Sequence, residues 1–231
     1  MPDYEQQASD FWTGGSAFQR SGAHWLNAGN HSKAQWLGMG QERYDVFKER
    51  AKDIPKTSIL EWGCGGGSNL AVFRKHFTRY TGVDICQETL RECAKRAEEY
   101  GVPFDPVHIE IKEPEKVLQL LGKHDFFLCT AVFQHLPHPK YCVRILKIAY
   151  ELLNDGCYAL IQFRTPHRLP STRKKRLATQ HDYIDNVARF NLYTVQEFEH
   201  YVTKTKLQVV GYSGAERSGQ LHAWLQRSRP T

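Results

Sequence analysis

Nothing in this 231-residue sequence approaches the ~20 consecutive apolar residues of a membrane span. Its opening, Met1-Pro2-Asp3-Tyr4-Glu5, lacks the basic and apolar regions of a secretory signal, so the expectation is a cytoplasmic protein with no membrane partner. The six cysteines, Cys64, Cys86, Cys93, Cys129, Cys142 and Cys157, include no Cys-x-x-Cys spacing, the pattern expected of a zinc site or a disulfide framework. Several fall inside apolar runs, where a thiol behaves as a small hydrophobe. Internal repeats and low-complexity tracts are also absent. This length suits one large α/β domain with additions, because two ordinary domains would each have a meagre core.

Charge is present in modest excess, with a net value of +6. Part of it is local: Arg164, Arg168, Arg173, Lys174, Lys175 and Arg176 crowd one segment. Such a run reads either as a solvated face or as a surface for phosphate groups.

The most informative stretch runs from Ser58 to Leu70: an apolar strand, an acid at Glu61, then glycines at 63, 65 and 67. Glycine permits left-handed backbone angles and removes the Cβ atoms that would hold a ligand away from the main chain. A dinucleotide-binding loop shares the glycine richness, but an acid at the strand end would repel a pyrophosphate and suits an ammonium group. Further on, Arg79-Tyr80-Thr81-Gly82-Val83-Asp84-Ile85 reads as a second strand ending in a carboxylate, the position that accepts hydrogen bonds from ribose hydroxyls.

With the Glu-x-Gly-x-Gly-x-Gly loop and Asp84 together, the chain resembles the class I S-adenosylmethionine-dependent methyltransferases, over about residues 56–227. A redox dinucleotide fold and a degenerate, non-catalytic relative are the alternatives. The resemblance implies a doubly wound, mostly parallel, seven-stranded sheet of order 3-2-1-4-5-7-6. The last strand is antiparallel, helices cover both faces, and an N-terminal cap precedes the sheet. Residues 1–55 would form that helical cap, and residues 56–231 a Rossmann-like domain with an insertion at about 164–193.

The hydrophobic pattern gives the elements expected for such a sheet. Helices are expected at 33–52, 67–76, 87–100 and 138–153, the last stopping at Asn154-Asp155-Gly156, with a short helix at 114–121. Strands follow at 106–111, 124–131 and 157–163. Thr194-Val195-Gln196-Glu197 is a capping box for a helix to about residue 204. Strands at 207–212 and 221–226 are too closely connected for a parallel crossover and predict an antiparallel hairpin.

By resemblance, Glu61 sits near the ammonium of the cofactor's methionine part, with Gly63, Cys64, Gly65 and Gly67 along it and Asp84 on the ribose. Cys64 reads equally well as a small residue that merely fits. Glu110 is placed at the adenine amino group and Ile85 and Ile111 on the ring, the other reading of all three being ordinary strand-end packing. After strand four, Thr130 and Ala131 offer main-chain contacts and Phe133 faces the methyl group. His135 is the first choice of general base, since an unperturbed imidazole titrates near ~6.5; a histidine that only packs is the bland alternative. His135 and His138 are separated by Leu-Pro, which breaks helical spacing, and no acid completes a ligand set, so no metal is expected.

Aromatic, glycine and histidine residues mix at 11–31 outside the sheet, which suits a cover over an organic substrate. His24, Trp25, His31, Tyr183 and His222 are secondary candidates for substrate contact. The leading reading is methyl transfer to an O or N atom of a small aromatic or heterocyclic metabolite. A nucleic-acid methyltransferase is the alternative that the positive charge favours. Against it, the loop after strand four has neither the Asn/Asp-Pro-Pro-Tyr/Phe pattern nor a Pro-Cys nucleophile. The oligomeric state is not encoded in any of these features.

Overall fold

Five segments whose apolar residues lie on both faces of an extended chain build the parallel part of a sheet, as expected of strands covered by helices above and below. The computed structural model describes residues 3–14, 32–166, 191–214 and 219–229. Strands β1 (Ser58–Trp62), β2 (Arg79–Asp84), β3 (Phe104–His108), β4 (His124–Cys129) and β5 (Leu153–Arg164) run parallel. The hairpin β6 (Leu207–Ser213) and β7 (Gln220–Arg227) completes a seven-stranded sheet of order β3-β2-β1-β4-β5-β7-β6. β7 is antiparallel to both neighbours, as expected from the short connection before it.

Alternation along the strands separates two cores. One face carries Leu60, Val83, Phe127, Ile161 and Ala223 against helices α5 (Cys142–Leu152) and α6 (Val195–Val202). The other carries Ile59, Tyr80, Phe126, Leu160 and Trp224 against α2 (Lys33–Lys48), α3 (Leu70–Phe73) and α4 (Gln87–Glu99). Here Phe47 of α2 is fully buried, with its ring centroid 5.1 Å from Phe126 and 5.2 Å from Phe73. Burial of a ring of this size is worth roughly 3–5 kcal/mol against alanine. Gly40 brings the α2 backbone down onto the end of the glycine loop, where a Cβ would lie 2.1 Å from the Ser68 carbonyl oxygen. The first helix, α1 (Tyr4–Thr13), buries Ala8 at the opposite face of the sheet.

Capping boxes start both α2, at Ser32 with Gln35, and α6, at Thr194 with Glu197. Each cap satisfies amides that have no intrahelical partner, worth about 1 kcal/mol. Other boundaries differ from the sequence expectation. The segment after the glycine loop is helical only over four residues, Leu70–Phe73, and ends in tight turns through Phe77. β3 lies two to three residues earlier than its pattern suggests, with Pro106 accommodated at the sheet edge. β5 begins at Leu153, so Asn154, Asp155 and Gly156 lie within the strand; Gly156 takes φ +81° there. No helix among the described residues is long and apolar enough to cross a membrane.

Candidate active site

The carboxyl ends of β1, β2, β4 and β5 converge where the sheet order reverses, the usual ligand crevice of open α/β sheets. The loop after β1 is folded back on β2 by two amides, Gly63 N and Cys64 N, which donate to the Val83 carbonyl at 2.7 and 3.2 Å. Its glycines have separate physical reasons. Gly63 (φ +73°) leaves no room for a side chain, because a Cβ would meet Val132 Cγ2 at 2.2 Å. A Cβ on Gly65 (φ +50°) would meet nothing within 4 Å, so here the main chain is bare toward open space. Cys64 turns its thiol the other way, into the core beside Cys93 and Gly82, leaving only its backbone at the loop.

Asp84 ends β2 beside this opening. Its carboxylate accepts from Gly65 N at 2.9 Å and from Cys86 N at 3.0 Å. Burial raises its pKa, and these amides oppose the rise.

Glu61 is 1% exposed at the end of β1. One oxygen accepts from Asn69 Nδ2 at 2.5 Å and the other from the Tyr80 hydroxyl. Asn69 Nδ2 also donates to Thr130 Oγ1 at 2.9 Å, and Asn69 Oδ1 receives Arg43 Nη1 of α2 at 3.4 Å. Burial pushes the Glu61 carboxyl up to about 7, against the opposing pull of these hydrogen bonds and of Arg43. Arg43, Asn69 and Tyr80 were not picked out in the sequence. Asn69 stands just after the glycine loop and could have been; nothing in spacing links Arg43 or Tyr80 to Glu61.

Past β2 and β3 a cleft of about 250 Å³ is lined by Ile85, residues 108–112 and, from α1, Gln6, Ser9 and Thr13. Ile111 is buried while Glu110 is exposed beside it. Helix α1 therefore forms one wall of this cleft. It is fastened by Asp3 to Lys112 at 2.9 Å and by Glu5 to Arg144 at 3.3 Å.

The loop after β4 holds Ala131 at φ +60°, the only described residue other than glycine with positive φ, a conformation costing about 1–2 kcal/mol. Gln162 of β5 compensates by accepting from Ala131 N at 2.9 Å. Phe133, expected to face the methyl group, instead sinks its ring completely into the core between Tyr193 and Phe198. His135 is half-buried against Trp12 of α1, ring centroids 4.9 Å apart. His24, Trp25, His31 and Tyr183 lie outside the described residues. Among those described, no group of three His, Cys, Asp or Glu is placed to hold a metal ion.

A sequence profile described as a methyltransferase domain matches residues 39–211, three quarters of the chain. The chain belongs to the methyltransferase domain family. Its seven-stranded sheet has the fold of the S-adenosylmethionine-dependent methyltransferases it superposes on. Among sequence relatives, ubiquinone biosynthesis O-methyltransferase of Actinobacillus pleuropneumoniae serotype 7 is 26% identical over 132 residues, 56% of each chain. The Escherichia coli O127:H6 protein of that name is 28% identical over 102 residues, 44% of this chain and 42% of its own. The chain thus matches only about half the length of these relatives. Magnesium protoporphyrin IX methyltransferase from Synechocystis PCC 6803, crystallised with S-adenosylhomocysteine, superposes with a TM-score of 0.70 at 17% identity. That match covers 97% of this chain and all of the other. A S-adenosylmethionine-dependent methyltransferase from Clostridium acetobutylicum gives 0.63 at 11% identity, covering 93% and 97%. The residues at the crevice suit S-adenosylmethionine: a bare main chain at Gly65, a buried acid at Glu61 and a partly exposed one at Asp84.

Proposed function

We propose that this methyltransferase acts on a hydroxyl oxygen of a small aromatic molecule. The names of its sequence relatives, O-methyltransferases of a biosynthetic route, support oxygen as the acceptor atom. The observation that carries the cofactor end is the pairing of buried Glu61 with the bare backbone at Gly65. Bound S-adenosylmethionine supplies a methyl group activated by a sulfonium.

The chain's part is to bind, orient and exclude water. Glu61, steadied by Asn69 and Tyr80, faces the ammonium of the methionine part, and the backbone of Gly63, Cys64, Gly65 and Gly67 runs along it. Asp84 receives the ribose hydroxyls. Ile85 and Ile111 flank the adenine ring, with Glu110 at its edge. Thr130 and Ala131 present main-chain atoms below the reacting centre, and Phe133 anchors that loop from within the core. His135 is the candidate base, able to take a proton at Nε2 once the Gln134 amide that occupies it turns away. Helices α1 and α2 contribute to the cover.

Calorimetric titration with S-adenosylhomocysteine, with NADH as control, tests the cofactor end. Turnover of catechol, phenol and 4-hydroxybenzoate with labelled cofactor tests the acceptor class. Binding of NADH alone would remove the reading, and methylation of an amine but no phenol would redirect it to nitrogen.

A further inference from the structure

Four polar side chains share the α2 face of the sheet at its reacting edge: Glu61 on β1, Thr130 just past β4, Gln162 on β5 and His222 on β7. Three of them are hydrogen-bonded to other described residues. Glu61 and Thr130 meet through Asn69, and Gln162 spends its oxygen on Ala131 N and its amide nitrogen on Gln220 Oε1 at 3.0 Å. His222 is the exception. It is 8% exposed, and neither ring nitrogen has a hydrogen-bond partner among the described residues.

The neighbours that could have served are committed elsewhere. Gln162 lies directly opposite His222 across the β5–β7 pairing, a register that puts the two side chains about 5 Å apart on one face. Ser213 lies opposite on β6, but its hydroxyl donates to Glu49 and accepts from Trp224 Nε1 at 2.9 Å. The Ser213 main chain runs alongside the imidazole without reaching hydrogen-bond geometry. At Gly214 a Cβ would come 3.8 Å from His222 Nδ1, so the absence of a side chain keeps space on that side. A buried polar group left unmade costs about 1–3 kcal/mol, and native structures keep few without a use.

We propose that His222 accepts a hydrogen bond from a second hydroxyl of the phenolic acceptor, next to the one that gives its proton to His135, and so positions the oxygen to be methylated. This rests on the O-methylation reading above and assigns that reading a residue. Gln162 links the two ends of the site, since it holds the strained Ala131 amide on one side and stands beside His222 on the other. The imidazole is suited to accept: burial, then the nearby Arg43 guanidinium, push its pKa down to about 4, so a nitrogen lone pair is available at neutral pH.

The test compares wild type with His222→Phe, which keeps an apolar ring of similar size, and His222→Gln, which restores an acceptor atom. With catechol as the probe, His222→Phe should raise KM at least roughly tenfold while leaving S-adenosylhomocysteine affinity unchanged, and His222→Gln should recover part of the loss. Independently of any variant, catechol added to wild type saturated with S-adenosylhomocysteine should shift the ¹⁵N resonances of the His222 ring. Unchanged KM in His222→Phe and no ring shift, with catechol still methylated, would overturn the role of His222 and leave O-methylation standing. Failure of wild type to bind or methylate catechol, phenol or 4-hydroxybenzoate while binding S-adenosylhomocysteine would overturn both.

Discussion

The Gln134 amide nitrogen donates to Nε2 of His135 at 2.9 Å, and the orientation of that amide is dictated by Arg164, whose Nε donates to Gln134 Oε1 at 2.6 Å. A guanidinium only donates, so the atom it meets must be the oxygen. The nitrogen then faces His135, whose Nε2 must accept, which places the neutral ring's proton on Nδ1. In Gln134→Glu both oxygens accept, and His135 must carry its proton on Nε2. The ¹⁵N spectrum should show Nε2 moving from the unprotonated to the protonated range. An unaltered spectrum would mean that Arg164 does not set the tautomer.

Cofactor affinity should depend on pH through Glu61. Its carboxyl titrates at about 7 in the free site instead of 4.5, while an ammonium ligand favours the ionised form. Binding of S-adenosylhomocysteine should therefore weaken as pH falls below 7, by at most about tenfold per unit, and level off from 7 to 8. The same shift makes the unliganded fold lose stability as pH rises from 4.5 to 7, since the folded state holds this proton more firmly than the unfolded chain. In Glu61→Gln both dependences should flatten. Calorimetry at several pH values measures the first and urea unfolding the second.

The glycines at 63 and 65 should fail in different ways. Gly63→Ala meets both φ +73° and the Val132 contact at 2.2 Å, and should cost more than about 2 kcal/mol of stability. Adding Val132→Ala should return the steric part and leave about 1 kcal/mol of backbone cost. Gly65→Ala meets no atom, so it should cost about 1 kcal/mol in folding yet weaken S-adenosylhomocysteine binding more than Gly63→Ala with Val132→Ala does. Equal binding losses would show that the space at Gly65 is not ligand space.

Helix α1 is held by partly exposed ion pairs, Asp3 with Lys112 and Glu5 with Arg144. Such pairs contribute about 0–1 kcal/mol each and weaken with salt. Lys112→Glu should speed release of S-adenosylhomocysteine about threefold or more in stopped-flow measurements, and Asp3→Lys in the same chain should restore the wild-type rate. Melting of the sheet core should stay within about 0.5 kcal/mol of wild type.

The strands were legible because each carries its own apolar pattern, and their order because the glycine loop with Asp84 carries a resemblance to the class I methyltransferases that implies it. Thr194 was legible as a cap because the capping box is local. What escaped was non-local. Asn154-Asp155-Gly156 reads as a helix stop, but Asn154 Nδ2 donates to Asp125 Oδ1 at 2.9 Å and Asp155 pairs with Arg227 at 2.6 Å, contacts that hold the segment in β5. Phe133 looks available in a loop sequence, and only the arrival of Tyr193 and Phe198, sixty or more residues later, draws its ring inward. Arg43 likewise reaches the Glu61 cluster because Gly40 lets α2 settle on the loop.

The reversed direction of β7 divides the molecule's work along the chain. Were β7 parallel to β5, Gln220 and His222 would fall at the far end of the sheet; running backwards, they stand opposite Arg164 and Gln162. The acids proposed to face the cofactor, Glu61 and Asp84, lie within the stretch matched by the family, residues 39–211, whereas His222 lies after it. On this proposal the acids for the donor and the histidine that holds the acceptor are written in separate passages of the sequence, and His222 can drift while the acids are held fixed.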